Sequence, residues 1–447
     1  MRFELLTMSK EAVSKINALI RDHHEFFGKA IPLIASENIM SKAARLACAC
    51  DFQHRYAEGW PGERVYAGCE YLDQVEIMCA DMAKRYFRAG FADVRPISGV
   101  VANLAIYTAM TTPKGKMMAM PIPSGGHISH APKIAKSTGN AINGTAGAVR
   151  GLDVEYLAFD QKEMNLDIDA SAKRIRDFKP ELLLFGGSVF LFPHPVKELS
   201  AIAKEAGARV AYDGAHVAGL IGSGYFQDPL REGAEAMSFS THKTFPGPQH
   251  GCVITAETGE LSEKIKAACF PSLLSNHHIH NVAGFAITLA EMLEFGKQYH
   301  GQVIKNAKAL AGALAAAGFK PLCEHKGYTA SHQVVLDITG LEKSFGLGAD
   351  IEKALEKAGI IVNRNLLPWD AKEGRAYKNP GGVRLGTSEV TRLGMKETDM
   401  QVIAEFFKKV ILDKKDPKAL QPDVAAFMKG FTEVKFCFEE TKAFEWY

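Results

Sequence analysis

Short continuous apolar runs and amphipathic stretches take turns along most of this chain, and their order predicts an α/β protein with a largely parallel sheet. The spacing of apolar positions from about residue 9 to 28 predicts a helix, with Ile34-Ala-Ser-Glu-Asn38 as a loop leading away from it. From about residue 90 to 256 apolar runs such as Glu181–Gly186, Ala208–Asp213 and Gly251–Thr255 alternate with helical periodicity such as that of Val196 to Ala206. A helix-rich tract from Asn281 to Ala317 then leads to a strand at Gln333–Ile338, a helix near Asp350–Ala358 and a long helix near Thr398–Leu412. This organisation predicts an N-terminal helical arm over residues 1–60, a large domain over 61–320 and a smaller α/β domain over 321–447. Ligands of such sheets sit beyond the carboxyl ends of the strands.

Composition narrows the class without changing that picture. The 447 residues are 47% hydrophobic and 23% charged, which is ordinary for a globular protein. A net charge of +2, with the bases scattered among acids, gives no stripe for nucleic acid. The N-terminal run Met1-Arg-Phe-Glu-Leu-Leu-Thr-Met-Ser-Lys10 has no apolar core for export, and no apolar run approaches the ~18 residues of a bilayer span, so a cytoplasmic protein is expected. The eight cysteines form no C-x-x-C pairs, which points to reduced thiols rather than disulfides or a metal site.

Two strand ends carry the chemistry. Ser238-Phe-Ser-Thr-His-Lys-Thr-Phe-Pro-Gly-Pro-Gln-His-Gly251 places Lys243 between an apolar run and a glycine-proline turn, where a Schiff-base lysine would sit. Upstream, Ala211-Tyr-Asp-Gly-Ala-His216 ends another run with Asp213 and His216 at the same edge of the sheet. A cofactor that forms an imine with lysine and keeps a protonated pyridine nitrogen beside a carboxylate is pyridoxal 5'-phosphate. Taken singly, the lysine reads as a surface group and the aspartate as a helix cap; together they make a constellation.

Motifs through nearly the whole chain resemble those of the serine hydroxymethyltransferase family. They include Leu33-Ile-Ala-Ser-Glu-Asn38, Tyr56-Ala-Glu-Gly-Trp-Pro-Gly-Glu-Arg-Val-Tyr-Ala-Gly-Cys-Glu70, Pro96-Ile-Ser-Gly-Val-Val-Ala-Asn103, Gly125-Gly-His-Ile-Ser-His130, Asp213–Gly219, Thr241-His-Lys243, Val362-Asn-Arg-Asn365 and Val383-Arg-Leu-Gly-Thr387. The resemblance, closest to archaeal members, implies a fold type I pyridoxal-phosphate transferase with a largely parallel seven-stranded sheet and a smaller C-terminal domain. It implies that Lys243 holds the cofactor, Asp213 its pyridinium, and His127 stacks on the ring. His216 would bond the phenolic oxygen, with Ser188 in the same neighbourhood, and Ser98, Gly99 and Ser240 would serve the phosphate at a helix N-terminus. Arg384, assisted by Ser36, would clamp the amino acid carboxylate. Glu58 would move the proton at the hydroxymethyl group, bordered by Tyr56 and Tyr66. In the family these three cross the interface of a homodimer, so shared active sites are implied. Asn38 and Asn103 are further site neighbours, and Asn365 matches the asparagine that bonds a pterin ring.

Departures from the family pattern fall in three places. Val100 replaces the second serine of a serine-glycine-serine phosphate loop, and Ser275-Asn276 in Phe270-Pro-Ser-Leu-Leu-Ser-Asn-His-His278 replace a glycine pair that reaches the neighbouring subunit's phosphate. Val65 replaces a tyrosine lying against the carrier, and Trp60 and Phe245-Pro246 also differ. Altered carrier residues beside a retained Asn365 favour tetrahydromethanopterin over tetrahydrofolate as the reduced pterin that accepts the serine hydroxymethyl carbon, leaving glycine. The same machinery would serve a pterin-independent aldolase of threonine-like substrates, and a regulatory protein without turnover is a third class. The aromatic and acidic tail Phe436–Tyr447 is expected to pack on a partner subunit.

Overall fold

The computed structural model describes residues 10–136 and 139–445. The expected absence of an export signal concerns the first ten residues, of which all but Lys10 lie outside the described residues. Helix α1 (Lys10–Phe27) comes first. The main sheet is built from β1 (Phe91–Asp93), β2 (Lys116–Ala119), β3 (Asp153–Tyr156), β4 (Leu182–Gly186), β5 (Arg209–Asp213), β6 (Ala236–Ser240) and β7 (Gly251–Thr255). Their order across the sheet is β1-β7-β6-β5-β4-β2-β3.

Strands β6, β5, β4, β2 and β3 pair in parallel. Every residue of β4 is buried, which is why its sequence is apolar throughout: a parallel strand covered on both faces has no side left for water. The last strand is the exception within the largely parallel sheet, since β7 runs antiparallel to both β6 and β1. Chain leaving Ser240 therefore returns at Gly251 through the single loop 241–250, where a parallel neighbour would have required a crossover.

Helix α2 (Gly99–Met110) starts at Ser98, whose hydroxyl accepts from the Val101 N–H. Its Ala105, Ile106 and Met110 pack in one cluster with Val253 of β7 and Leu182 of β4. The 38-residue helix α3 (Ile279–Ala316), about 57 Å long at the α-helical rise, joins two cores. Val282, Phe285 and Leu289 belong to the core of the main sheet, whereas Leu310 and Leu314 belong to a second core. That second core covers an antiparallel sheet of β8 (Gln333–Asp337), β9 (Asn363–Asn365) and β10 (Gly382–Gly386), in the order β8-β10-β9.

Two segments pack differently from the sequence-based expectation. The stretch expected to be an N-terminal arm divides: Ile31-Pro32 pair with Ile360-Ile361, and Ile31, Leu33 and Ile39 join the second core. Helix α1 remains outside it, with Val13, Ile16 and Leu19 exposed. The C-terminal tail, expected on a partner, folds over its own chain through residue 445. The buried Arg392 guanidinium donates to the Phe436 carbonyl, Phe436 lies against Tyr299 of α3, and Cys437 and Ala443 enter the second core. Backbone carbonyls of a tail are fixed by whichever buried donor lacks a full set of acceptors, and here that donor is in the same chain. All eight cysteines are free thiols, no metal-binding cluster occurs among the described residues, and no described helix is long and apolar enough to cross a membrane.

Candidate active site

Lys243 sits in the loop between β6 and β7, and its backbone is held from several sides. Within the loop, Thr241 Oγ1 donates to the Pro248 carbonyl and the Gly247 N–H to the Thr241 carbonyl at 2.7 Å. From outside, Asn38 Nδ2 donates to the Lys243 carbonyl at 2.7 Å and to the Tyr299 hydroxyl at 2.8 Å. Next along, the Thr244 carbonyl faces His300 Nε2 at 3.0 Å. With the main chain fixed, the lysine amine is carried into the interior, where burial pushes its pKa down to about 8; Asp213 opposes the shift and Arg384 adds to it.

Lys243 opens into a cavity of about 200 Å³ at the carboxyl ends of the strands. Of the expected residues, Ser98, Gly99, Asn103, His127, Asp213, His216 and Ser240 all line it, together with Val100 and His242. Asp213, at the end of β5, accepts from Asn103 Nδ2 at 2.8 Å and from the Ala215 N–H at 2.9 Å, and His130 Nε2 lies 2.7 Å away. Burial works against its charge, but the bond from His130, the field of His127 and the Asn103 amide outweigh burial and hold the carboxyl far below its usual range. Asp213 is therefore ionised at any working pH.

The imidazoles of His127, His216 and His242 are neutral because there burial dominates. Burial first, then the neighbouring His130, pushes His127 down to about 4, and its Nδ1 lies 2.7 Å from Ser129 Oγ. His216, held at Nδ1 by Gln333 at 3.0 Å and stacked on His332, is pushed well below its ordinary value by burial and by the charges of Lys243 and Arg384. His242 is pushed down to about 4, and its Nδ1 is buried without a hydrogen-bond partner.

Arg384 on β10 brings the second core to the same place. Its Nη1 donates to the Ser188 carbonyl at 2.7 Å, and Asn363 Oδ1 accepts from Nε and Nη2 at 3.3 Å each. No carboxylate pairs with it among the described residues, and burial pushes its pKa down to about 10. A buried guanidinium bonded only to neutral acceptors is electrostatically incomplete, and an anionic ligand completes it. Gly386, two residues on, has a reason to be glycine: a Cβ there would stand 2.3 Å from the Cα of Ala35, so only glycine lets the Ala35-Ser36 loop close on β10.

Comparison with known proteins agrees with this geometry. The family model described as serine hydroxymethyltransferase matches residues 9–407. The serine hydroxymethyltransferase of Korarchaeum cryptofilum is 57% identical over 98% of this chain and 99% of its own length. Those of Nitrosopumilus maritimus and Methanocaldococcus jannaschii are 54% and 51% identical, each over 97% of this chain, and over 97% and 98% of their own lengths. The chain belongs to the serine hydroxymethyltransferase family.

A serine hydroxymethyltransferase is a fold type I enzyme that uses pyridoxal phosphate and a reduced pterin co-substrate to interconvert serine and glycine, and the cavity fits the first of these. An ionised carboxylate, a buried lysine of lowered pKa and the orphaned His242 nitrogen meet there. The N-terminus of α2 opens on the same space, and a Cβ on Gly99 would lie 2.4 Å from Ser240 Oγ, so a larger residue there would turn that hydroxyl out of its place. The Val100 departure leaves backbone N–H groups and the Ser98 and Ser240 hydroxyls as the polar groups at that end.

Other expected residues are not brought to the cavity. Tyr56 and Tyr66 are 53% and 47% exposed with rings 5.0 Å apart, and Glu58 lies beside them accepting from Ser275 Oγ at 3.1 Å. Ser36 is half-buried on the loop against β10, Asn365 donates to the Leu366 carbonyl, and Ser188 meets Arg384 through its backbone rather than its hydroxyl. Conversely, Gln333, His130, Ser129 and Asn363 were not singled out from the sequence. His130 and Ser129 stood inside a recognised motif, and Asn363 two residues from Asn365 on the same strand face.

Proposed function

We propose that this chain interconverts serine and glycine with tetrahydromethanopterin as carrier, as a homodimer in which each cavity is finished by the other copy. The observation that carries the reading is the convergence of buried Lys243, ionised Asp213 and unpaired Arg384 at one strand edge. Pyridoxal phosphate, when bound, supplies an electron sink beside the amino acid's α-carbon. Lys243, deprotonated in a large fraction near pH 8, would be the amine that holds the cofactor. Asp213 would accept from its ring nitrogen, neutral His127 would offer a ring face, and His216 would bond its phenolic oxygen. Arg384 binds the substrate carboxylate with its planar fork, oriented by Asn363 and assisted by Ser36.

Glu58 handles the proton of the hydroxymethyl group, with Tyr56 and Tyr66 about it. Their exposure on this chain, away from its own cavity, supports delivery to a second subunit, and the exposed Val13, Ile16 and Leu19 of α1 offer apolar surface for the association. Val65, also exposed beside Tyr66, supports an altered carrier site, and Asn365 would bond the pterin. Cytoplasmic placement belongs to the same reading and is supported by the charged, freely diffusing substrates.

The test is glycine formation from L-serine by the cofactor-loaded protein with tetrahydromethanopterin, tetrahydrofolate or no carrier. Turnover with tetrahydromethanopterin well above tetrahydrofolate is expected. Equal or better turnover with tetrahydrofolate would remove the carrier assignment. Carrier-independent cleavage of threonine-like substrates, with no pterin effect on serine, would replace it with an aldolase.

A further inference from the structure

The segment that departs from the family pattern at Ser275-Asn276 does something specific on this chain. Two consecutive side chains reach into the hairpin that carries Tyr56, Glu58 and Tyr66, and a third reaches Glu76 on the helix Glu70–Phe87 beneath it. Ser275 Oγ donates to Glu58 Oε1 at 3.1 Å, Asn276 Oδ1 accepts from the Ala57 N–H at 2.8 Å, and His277 Nε2 lies 2.8 Å from Glu76 Oε2. Glu76 also accepts from Arg64 Nη2 at 2.8 Å, and Arg64 Nη1 donates to the Gly59 carbonyl at 2.8 Å and to the Ala57 carbonyl. The carbonyls of Ala57 and Gly59, the residues on either side of Glu58, are thus tied to one buried cluster. Gly59 makes the tight return possible: its φ is +98°, and a Cβ there would meet the Glu63 carbonyl at 2.6 Å.

We propose that Ser275 and Asn276 are positioning residues that clamp the Glu58 hairpin, with Ser275 orienting the Glu58 carboxylate directly and Asn276 holding the backbone before it. Glycines at these two places have no side chain to make either bond. The clamp therefore fixes a carboxylate that the rest of its own chain leaves half-exposed, before any second subunit meets it. This inference rests on the reading of Glu58 as the proton-transferring group, and the experiment separates the two.

In the cofactor-loaded full chain, Ser275→Ala, Ser275→Thr, Asn276→Ala, Glu58→Gln and the Glu58→Gln/Ser275→Ala pair are compared for kcat and KM, cofactor release, and deuterium uptake by the peptide spanning residues 55–66. Expected are a kcat about tenfold lower in Ser275→Ala, the order of one hydrogen bond to a charged group, with KM for serine unchanged and recovery in Ser275→Thr. No further loss is expected in the pair beyond Glu58→Gln alone, because the serine acts only through the carboxylate. Asn276→Ala should speed uptake at Ala57 without loosening the cofactor. Losses that multiply in the pair, or faster cofactor release with unchanged uptake, would overturn the clamp and place these residues on the phosphate. If Glu58→Gln keeps full kcat, the reading of Glu58 fails on its own; faster uptake in Asn276→Ala then still supports the clamp, and unchanged uptake overturns it.

Discussion

The cavity around Lys243 and the hairpin around Glu58 are built by opposite means. At Lys243 the functional groups are buried or half-buried, and burial and neighbouring charges set their protonation states. At the hairpin the functional groups are exposed or half-exposed, and only the scaffold beneath them is buried: the side chains of Arg64 and Glu76 are 3% and 6% exposed. The first region is largely assembled within one chain, whereas the second has a rigid base and an exposed upper surface. On the reading proposed above, the binding groups and the proton-transferring group of one site come from different copies.

The most severe way to break the contrast is to damage each half separately. Lys243→Ala should lower glycine formation by more than about 10³, and Glu58→Gln alone should also be strongly impaired. Mixed and refolded in equal amounts, the two variants should regain about a quarter of wild-type activity, because half the dimers would carry one intact site. No recovery would mean that Glu58 serves its own chain. Next in size, Arg384→Lys should reduce kcat/KM for serine by about thirtyfold, mostly through KM, since an ammonium cannot reproduce the two-pronged contact; steady-state kinetics decide it.

Smaller effects concern protons. Covalent capture of pyridoxal phosphate by the apoprotein should accelerate about tenfold per pH unit below pH 8 and level off above it, since only the neutral amine reacts. Stopped-flow absorbance would show a profile centred near 10.5 instead if Lys243 were not desolvated. For stability, burial pushes His194, His250 and His332 each down to about 3. Between their ordinary value near 6.5 and 3 the unfolded chain binds protons that the folded chain refuses, so stability should be full above about pH 6.5 and fall as pH drops through that window. Glu389, pushed up to about 8 by burial and by Glu37, acts in the other direction between its ordinary 4.5 and 8; it should offset the histidines below about pH 6.5 and lower stability as pH rises from there to 8. Melting temperatures from pH 4 to 9, with Glu389→Gln as comparison, measure both.

Much of the first region was legible in the sequence and much less of the second. Asp213 and Ser240 end apolar runs, and Lys243 stands between the second run and a glycine-proline turn; that local pattern alone puts them on one sheet edge. The groups that control them are far away along the chain: Gln333 serves His216 from 117 residues away and His130 serves Asp213 from 83. Periodicity carries no information at such separations. Strand direction is silent for a related reason, because an unbroken apolar run such as Gly251–Thr255 looks the same in either sense, and β7 is antiparallel. The tail was misplaced because its aromatic pattern shows that it packs, but not on which copy.

The reversal of β7 has one more effect, on what mutation can alter. Ser240 and Gly251 are direct partners across two adjacent strands, so the loop bearing Lys243 is sutured at both ends to neighbouring backbone. Most connections in this architecture can lengthen or shorten without disturbing the sheet. Here a gained or lost residue would shift the lysine relative to Asp213 or slip a strand whose five residues are all buried. The length of 241–250 is therefore constrained even where its side chains, away from Lys243 and Thr241, are not.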